Sequence, residues 1–222
     1  MMIQTLRKLA RKVVGMSRPS AGVQYWERRA KQFGARSVLN INHTEQETAA
    51  ITKMQTREIF PYLRQQLNGS ERLILDYGCR PGRFTPELAN LISGEAIGID
   101  PIKTLIDLAP QAANVRYEVA RAGRISLVDS CVDVVWICLV IGAILPEALA
   151  RTCQEIQRVL KPGGLVFLIE GTTEGEDAST HYRFRSIAQY VEMFGFFVDL
   201  KHLHDYYDLG ERISLLAGRK RN

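Results

Sequence analysis

At 222 residues, 46% hydrophobic and 24% charged, the chain suits one globular α/β domain with a modest N-terminal addition and excludes two full domains. The net charge of +5 is concentrated in an arm: residues 1–36 hold nine Lys or Arg against one acid, leaving −3 for the other 186 residues, which argues against a nucleic-acid-binding body. The four cysteines (Cys79, Cys131, Cys138, Cys153) include no CxxC pair, so no disulfide framework or zinc site is expected, and reduced thiols fit a cytoplasmic protein.

In chain order, Ile3 to Met16 places Ile3, Leu6, Leu9 or Ala10, and Val13 on one helical face and Arg7, Lys8, Arg11 and Lys12 mostly on another. Such a basic amphipathic helix suits an anionic membrane surface, which would place the protein peripheral to the inner face of the membrane. It also suits docking on the core or on a second subunit. Ser17 to Gly22 reads as a linker, and Gln24 to Phe33 as a helix stopped by Gly34. His43 to Leu67 has helical spacing, with Thr44 and Glu47 forming a capping box and Pro61 expected to kink or divide it. Gln55 is a weak candidate for a ligand contact, and His43 reads as a loop or cap residue.

Arg72 to Thr85, RLILDYGCRPGRFT, is an apolar run that ends on an acid and opens into a glycine-bearing turn before the helical spacing of Pro86 to Ile92. A buried strand, a loop and a helix N-terminus follow from it, an arrangement that lets a polar cofactor lie against backbone N–H groups. Asp76, Gly78, Cys79 and Gly82 stand in the pattern D-x-G-C-x-x-G, which resembles the first motif of class I S-adenosylmethionine-dependent methyltransferases, usually D-x-G-C-G-x-G. Arg80 replaces the middle glycine. Its side chain either crowds the methionine end of the cofactor or reaches the cofactor's carboxylate. Tyr77, Phe84 and the Gly78 to Gly82 turn are then expected around the cofactor.

Glu95 to Asp100 reads as the second strand, and Asp100, 24 positions beyond Asp76, can accept hydrogen bonds from both hydroxyls of a ribose. It can equally cap a helix whose first residue is Pro101. Asn114 to Val119 is the third strand. The family often has an acid after this strand, where this chain has Arg121, Ala122, Gly123 and Arg124, so adenine recognition would rest on backbone groups near Ala122 and Gly123. Asp133 opens a fourth strand, Val134 to Ile141, as a structural residue; in the fold the resemblance implies, Cys138 to Gly142, with Cys138 and Leu139 first, would face the reacting methyl group. Pro146 to Leu160 is a helix, and the following RVLKPGG resembles the helix-to-strand turn of the same family, with a type II turn at Pro162 and Gly163 and a fifth strand over Leu165 to Ile169.

Glu170 to Tyr182 is a polar loop where an acceptor would enter, and His181, then Asp177, are the general-base candidates. Phe184 to Phe194 reads as a helix, and Phe197 to His204 with Arg212 to Arg219 as an antiparallel pair. His202 and His204 would share one strand face, too few ligands for a metal. Trp26 and Arg29, in a Y-W-x-x-R-A segment, resemble the aromatic and Arg that close over the cofactor in many small-molecule members.

The resemblance implies a Rossmann-like seven-stranded α/β sheet of order 3-2-1-4-5-7-6, with an antiparallel last strand and helices on both faces. The chain divides into an arm (1–17), an N-terminal helical cap (18–69) and an S-adenosylmethionine-binding domain (70–222). The implied reaction is methyl transfer to an oxygen or nitrogen of a small acceptor, such as a sugar or lipid-linked glycan. The alternative is a methyltransferase-like binding or scaffold protein without turnover. A nicotinamide-binding frame fails, because its second and third glycines would fall at Arg80 and Arg83.

Overall fold

The computed structural model describes residues 22–39, 47–120, 123–173 and 181–222. The arm, His43, Thr44 of the expected capping box, Ala122 and Asp177 lie outside the described residues.

Seven strands form one sheet: β1 (Leu73–Tyr77), β2 (Glu95–Asp100), β3 (Val115–Val119), β4 (Val132–Cys138), β5 (Leu160–Gly171), β6 (Lys201–Asp208) and β7 (Glu211–Arg219). Their order is β3-β2-β1-β4-β5-β7-β6. The first five are parallel, and β7 runs antiparallel to both β5 and β6. The expected sheet is therefore the observed one.

The helices are α1 (Gly22–Phe33), α2 (Glu47–Gln66), α3 (Thr85–Leu91), α4 (Lys103–Ile106), α5 (Pro146–Val159) and α6 (Ile187–Phe194). The period-2 alternation of the strands divides the core between two faces. Leu75, Val135, Ile137, Val166 and Leu168 meet Cys153 and Ile156 of α5 and Tyr190 and Phe194 of α6. Their neighbours Ile74, Val134, Trp136, Phe167 and Ile169 meet Ile59 and Leu63 of α2 and Leu88 of α3. A smaller cluster joins Trp26 and Ala30 of α1 to Val38, Ile102 and Leu105.

Four local expectations are corrected. Helix α2 is not divided at Pro61 but continues through it to Gln66. The proline is exposed, so the carbonyl one turn earlier, which loses its helical donor, can turn to water. The strand after RVLKPGG opens at Leu160, directly behind α5, because Leu160 pairs with Val132. Gly163 keeps the expected left-handed φ of +70°, and Lys161 binds Asp133 at 2.7 Å. Asp133 also accepts the N–H groups of Arg72 and Leu73, a structural role. Helix α6 begins at Ile187, not Phe184, because Ser186 and Gln189 close a capping box there. Finally, β6 covers residues 201–208, and a register shift between His202 and His204 breaks the alternation that would have put both on one face. His202 bonds Asp205 at 2.8 Å, and His204 stacks on Tyr62 with ring centroids 4.5 Å apart.

Candidate active site

Three apolar strands each end in a buried acid at the carboxyl edge of the sheet: Asp76 on β1, Asp100 on β2 and Glu170 on β5. Each acid organises a loop.

Asp76 accepts the Thr85 hydroxyl at 2.6 Å, which ties the strand end to the start of α3. Burial, with the nearby Asp100 charge, pushes its pKa up to about 7 against the pull of Thr85, Arg80 and Arg83. Between these residues the chain turns through Gly78 at φ +74° and Gly82 at φ +67°. A Cβ on Gly78 would lie 2.5 Å from Val140 Cγ2, and one on Gly82 2.5 Å from the Tyr117 hydroxyl. Both glycines are thus required by φ and by packing.

The turn's amides are engaged within the fold. Gly78 and Cys79 donate to the Ile99 carbonyl, Gly82 donates to the Cys79 carbonyl, and Arg80 N–H donates to Asp100 Oδ2 at 3.1 Å. Gly78 and Cys79 thus extend the pairing of β1 with β2 past Tyr77, while Gly82 and Arg80 brace the turn itself.

Asp100 is 5% exposed. It accepts Ile102 N–H at 2.8 Å on its other oxygen. Helix α4 begins only at Lys103, so Pro101 precedes the helix and is not its first residue. Burial raises the Asp100 pKa to about 6, opposed by the Ile102 amide and Arg80. With one protein donor on each oxygen, the carboxylate retains acceptor capacity.

Arg80 has φ +58°, and its guanidinium spans the mouth of the cleft. One nitrogen donates to the Val38 carbonyl at 3.0 Å and another to the Leu139 carbonyl at 2.5 Å. The space bounded by Asp76, Gly78, Cys79, Arg80, Arg83, Phe84 and Cys138 is about 10 Å³, barely a water molecule. Burial holds the Cys138 thiol protonated, pushed up to about 12, and the Cys79 thiol is likewise raised well above its ordinary value. Phe84 packs on Phe60 and Trp136, and Tyr77 faces the α5 side. Arg83, which the sequence reading passed over, donates to Thr52 Oγ1 and Gln55 Oε1, and burial lowers its pKa to about 10.

Glu170 was also missed as a site residue. Its carboxylate accepts N–H from Val140 and Ile141, both at 2.7 Å, and from Gly142 at 3.3 Å, as well as the Tyr182 hydroxyl at 2.6 Å. It fixes the loop after β4, where Leu139 takes φ +56°. The available signal was the repeated pattern of an apolar strand ending in an acid.

Beyond this loop, His181 stacks on Tyr25 of α1, with ring centroids 3.4 Å apart and planes at 18°. Burial, reinforced by Arg29 and Arg28, lowers its pKa. Trp26 belongs to the small cluster under α1. Arg29 donates to the Ser37 and Leu39 carbonyls, which makes both residues anchors of the cap. Gly123, at φ +67°, lies against Arg151. Among the described residues no cluster of His, Cys, Asp or Glu suits a metal ion, and no helix is long and apolar enough to cross a membrane.

Residues 74–164 match the family model described as a methyltransferase domain. That match spans 91 residues of the 222-residue chain. A search of curated protein sequences finds no match to it. Among solved structures, a protein from Pyrococcus horikoshii shares 16% identity over 87% of this chain and 99% of its own, with a TM-score of 0.65. A SAM-dependent methyltransferase from Archaeoglobus fulgidus shares 18% over 78% and 95%, with a TM-score of 0.61. The YcgJ protein from Bacillus subtilis shares 15% over 75% and 99%, at 0.62. At these identities the structural likeness is one of fold.

S-adenosylmethionine is the cofactor that the sequence resemblance implies, and the residues present fit it in kind. Asp100 is a buried acceptor suited to a diol, and Arg80 and Arg83 bring positive charge suited to a carboxylate. The space beside Cys79 and Cys138 widens if the Arg80 side chain leaves the Val38 and Leu139 carbonyls, a rotation open to a long, half-buried side chain.

Proposed function

We propose that this chain transfers a methyl group from S-adenosylmethionine to an oxygen or nitrogen of a small acceptor, with a sugar or lipid-linked glycan as the substrate class. The observation that carries this reading is the buried Asp100 carboxylate, which ends β2 with acceptor capacity to spare.

S-adenosylmethionine supplies the electrophilic sulfonium methyl when bound. Asp100 would hold the ribose hydroxyls. The β4 loop, fixed by Glu170, would orient the acceptor and exclude water, and positioning of this kind supplies much of the rate in a displacement. His181 would take the proton from the acceptor's hydroxyl or amine, because its lowered pKa keeps an imidazole lone pair available near neutral pH. Asp177, outside the described residues, is the second candidate.

Calorimetric titration with S-adenosylmethionine is the first test, and absence of binding at millimolar cofactor would remove the reading. Turnover is then sought with sugar nucleotides, lipid-linked sugars and quinone precursors. Cofactor binding without turnover of any of them would favour the scaffold alternative.

A further inference from the structure

We propose that Arg83 and Tyr206 form an oxyanion subsite that holds a phosphate or carboxylate group carried by the acceptor. The proposal rests on the methyl-transfer reading above and adds to it the charge of the molecule that is methylated.

The subsite is a corner in which hydrogen-bond donors outnumber acceptors. Arg83 is half-buried, with its guanidinium over Phe84, 5.1 Å from the ring centroid. Its Nε donates to Thr52 Oγ1 at 3.0 Å and its Nη2 to Gln55 Oε1 at 2.5 Å. A guanidinium has five N–H donors, so both N–H groups of Nη1 and one of Nη2 have no acceptor among the described residues. Asp76 and Asp208 sense its charge, yet neither bonds it. Tyr206 is 6% exposed, and its hydroxyl is buried in the same corner without a hydrogen-bond partner. Burial raises the Tyr206 pKa well above its ordinary value, Cys138 and Asp208 add to the rise, and Arg83 and Gln55 oppose it; the hydroxyl therefore stays a donor. Both partners of Arg83 are neutral oxygens. A guanidinium so placed is matched by an oxyanion, which it can grip through two parallel N–H bonds. The unpaired Tyr206 donor, a rarity in a folded interior, calls for the same oxygens.

Position assigns the corner to the acceptor. Strand β6 runs parallel to β5, since both are antiparallel to β7, so Tyr206 stands near the carboxyl edge of the sheet where Asp76 and Asp100 lie. In the sheet order β2, with Asp100, is on one side of β1, whereas β4, with Cys138, and β6 are on the other. A cofactor held at Asp100 by its ribose leaves the β4 and β6 side to the molecule it methylates. Arg80, whose amide bonds Asp100, is the cation on the cofactor's side. The space that Arg80 and Arg83 line together is about 10 Å³, so room for an oxyanion comes with displacement of Arg80.

The test uses the full chain saturated with S-adenosylhomocysteine, with methyl phosphate and acetate as probes and methyl glucoside as the neutral control. Binding is followed by nuclear magnetic resonance of the arginine Nε–H groups. At least one anion is expected to bind saturably in the millimolar range and to shift the Arg83 signal, whereas methyl glucoside leaves it unmoved. Tighter methyl phosphate would identify a phosphorylated acceptor and tighter acetate a carboxylated one; either supports the subsite. Arg83→Gln should weaken the anion about tenfold and Tyr206→Phe about threefold, the scales of charged and neutral hydrogen bonds, with S-adenosylmethionine affinity kept within about twofold. Tyr206→Phe removes only an unpaired hydroxyl, so it is expected to fold, and it decides the matter should Arg83→Gln not fold. Cofactor binding without saturable anion binding, or anion binding that neither substitution weakens, would overturn the proposal. A loss of S-adenosylmethionine affinity in Arg83→Gln as large as the loss of anion affinity would give Arg83 to the cofactor and overturn it too. No binding of S-adenosylhomocysteine would refute the methyl-transfer reading itself, and this proposal with it.

Discussion

Glu170 offers the sharpest test of how the site is built, because one side chain satisfies the backbone of a whole loop. In Glu170→Ala the N–H groups of Val140 and Ile141, each bonded at 2.7 Å, lose their acceptor in a fully buried position. An unsatisfied buried donor costs about 1–3 kcal/mol, so these two together cost about 4 kcal/mol. The Tyr182 hydroxyl at 2.6 Å and the space left by the removed side chain add about 1–2 kcal/mol. The expected loss is about 5 kcal/mol, comparable with the total stability of many domains. Glu170→Gln should cost only about 1 kcal/mol. Its amide oxygen keeps Val140 and Ile141, its NH₂ group can donate to Tyr182, and the Gly142 contact given up is already long at 3.3 Å. Urea unfolding measures both variants, and hydrogen exchange of residues 140–142 locates the effect. Equal costs for Ala and Gln, or an Ala cost below about 1 kcal/mol, would refute this account of the loop.

Other expectations concern binding, pH and turnover. Asp100→Ala should weaken S-adenosylmethionine by about 1–3 kcal/mol, the scale of a hydrogen bond to a charged group, and calorimetry reads it directly; unchanged affinity would move the ribose contact elsewhere. Asp76 and Asp100 have folded pKa values raised by burial to about 7 and about 6. The folded protein therefore keeps protons that the unfolded chain releases near pH 4, and their contribution is fully present below that pH and lost as pH rises to 7. Glu71, Asp133, Glu155 and Asp205 have lowered values and lose their contribution only below about pH 4.5, so they do not mask the trend. Thermal unfolding of cofactor-free protein should show the melting temperature falling between pH 5 and 7.5, and a flatter profile in Asp76→Asn. His181→Ala should lower kcat at least 100-fold, the usual scale for a general base, and leave cofactor affinity within twofold; an unaltered kcat would exclude His181 as the base.

The sheet was legible because its signals are local and redundant. Buried parallel strands read as continuous apolar runs, and the family resemblance carried by Asp76, Asp100 and KPGG implied their order. The loop after β1 was legible where one residue type performs one task, as at Gly78 and Gly82. Arg83 and Glu170 escaped because their partners are distant in sequence: Arg83 reaches back 28 residues to Gln55, and Glu170 reaches back 30 to Val140. The bulge between His202 and His204 leaves no comparable mark, since one inserted residue does not change composition.

The two carbonyls held by Arg80 belong to different parts of the chain, Val38 beside α1 and Leu139 after β4. A molecule that fills the cleft by turning Arg80 aside must also release the grip on Val38. By reciprocity of coupled equilibria, whatever presses α1 against the sheet lowers affinity in the cleft by the same factor, and whatever frees α1 raises it. A cofactor that turned Arg80 aside in this way would have its affinity set by residues 22–39 as well as by the motif itself, and substitutions in α1 that touch no ligand would retune it.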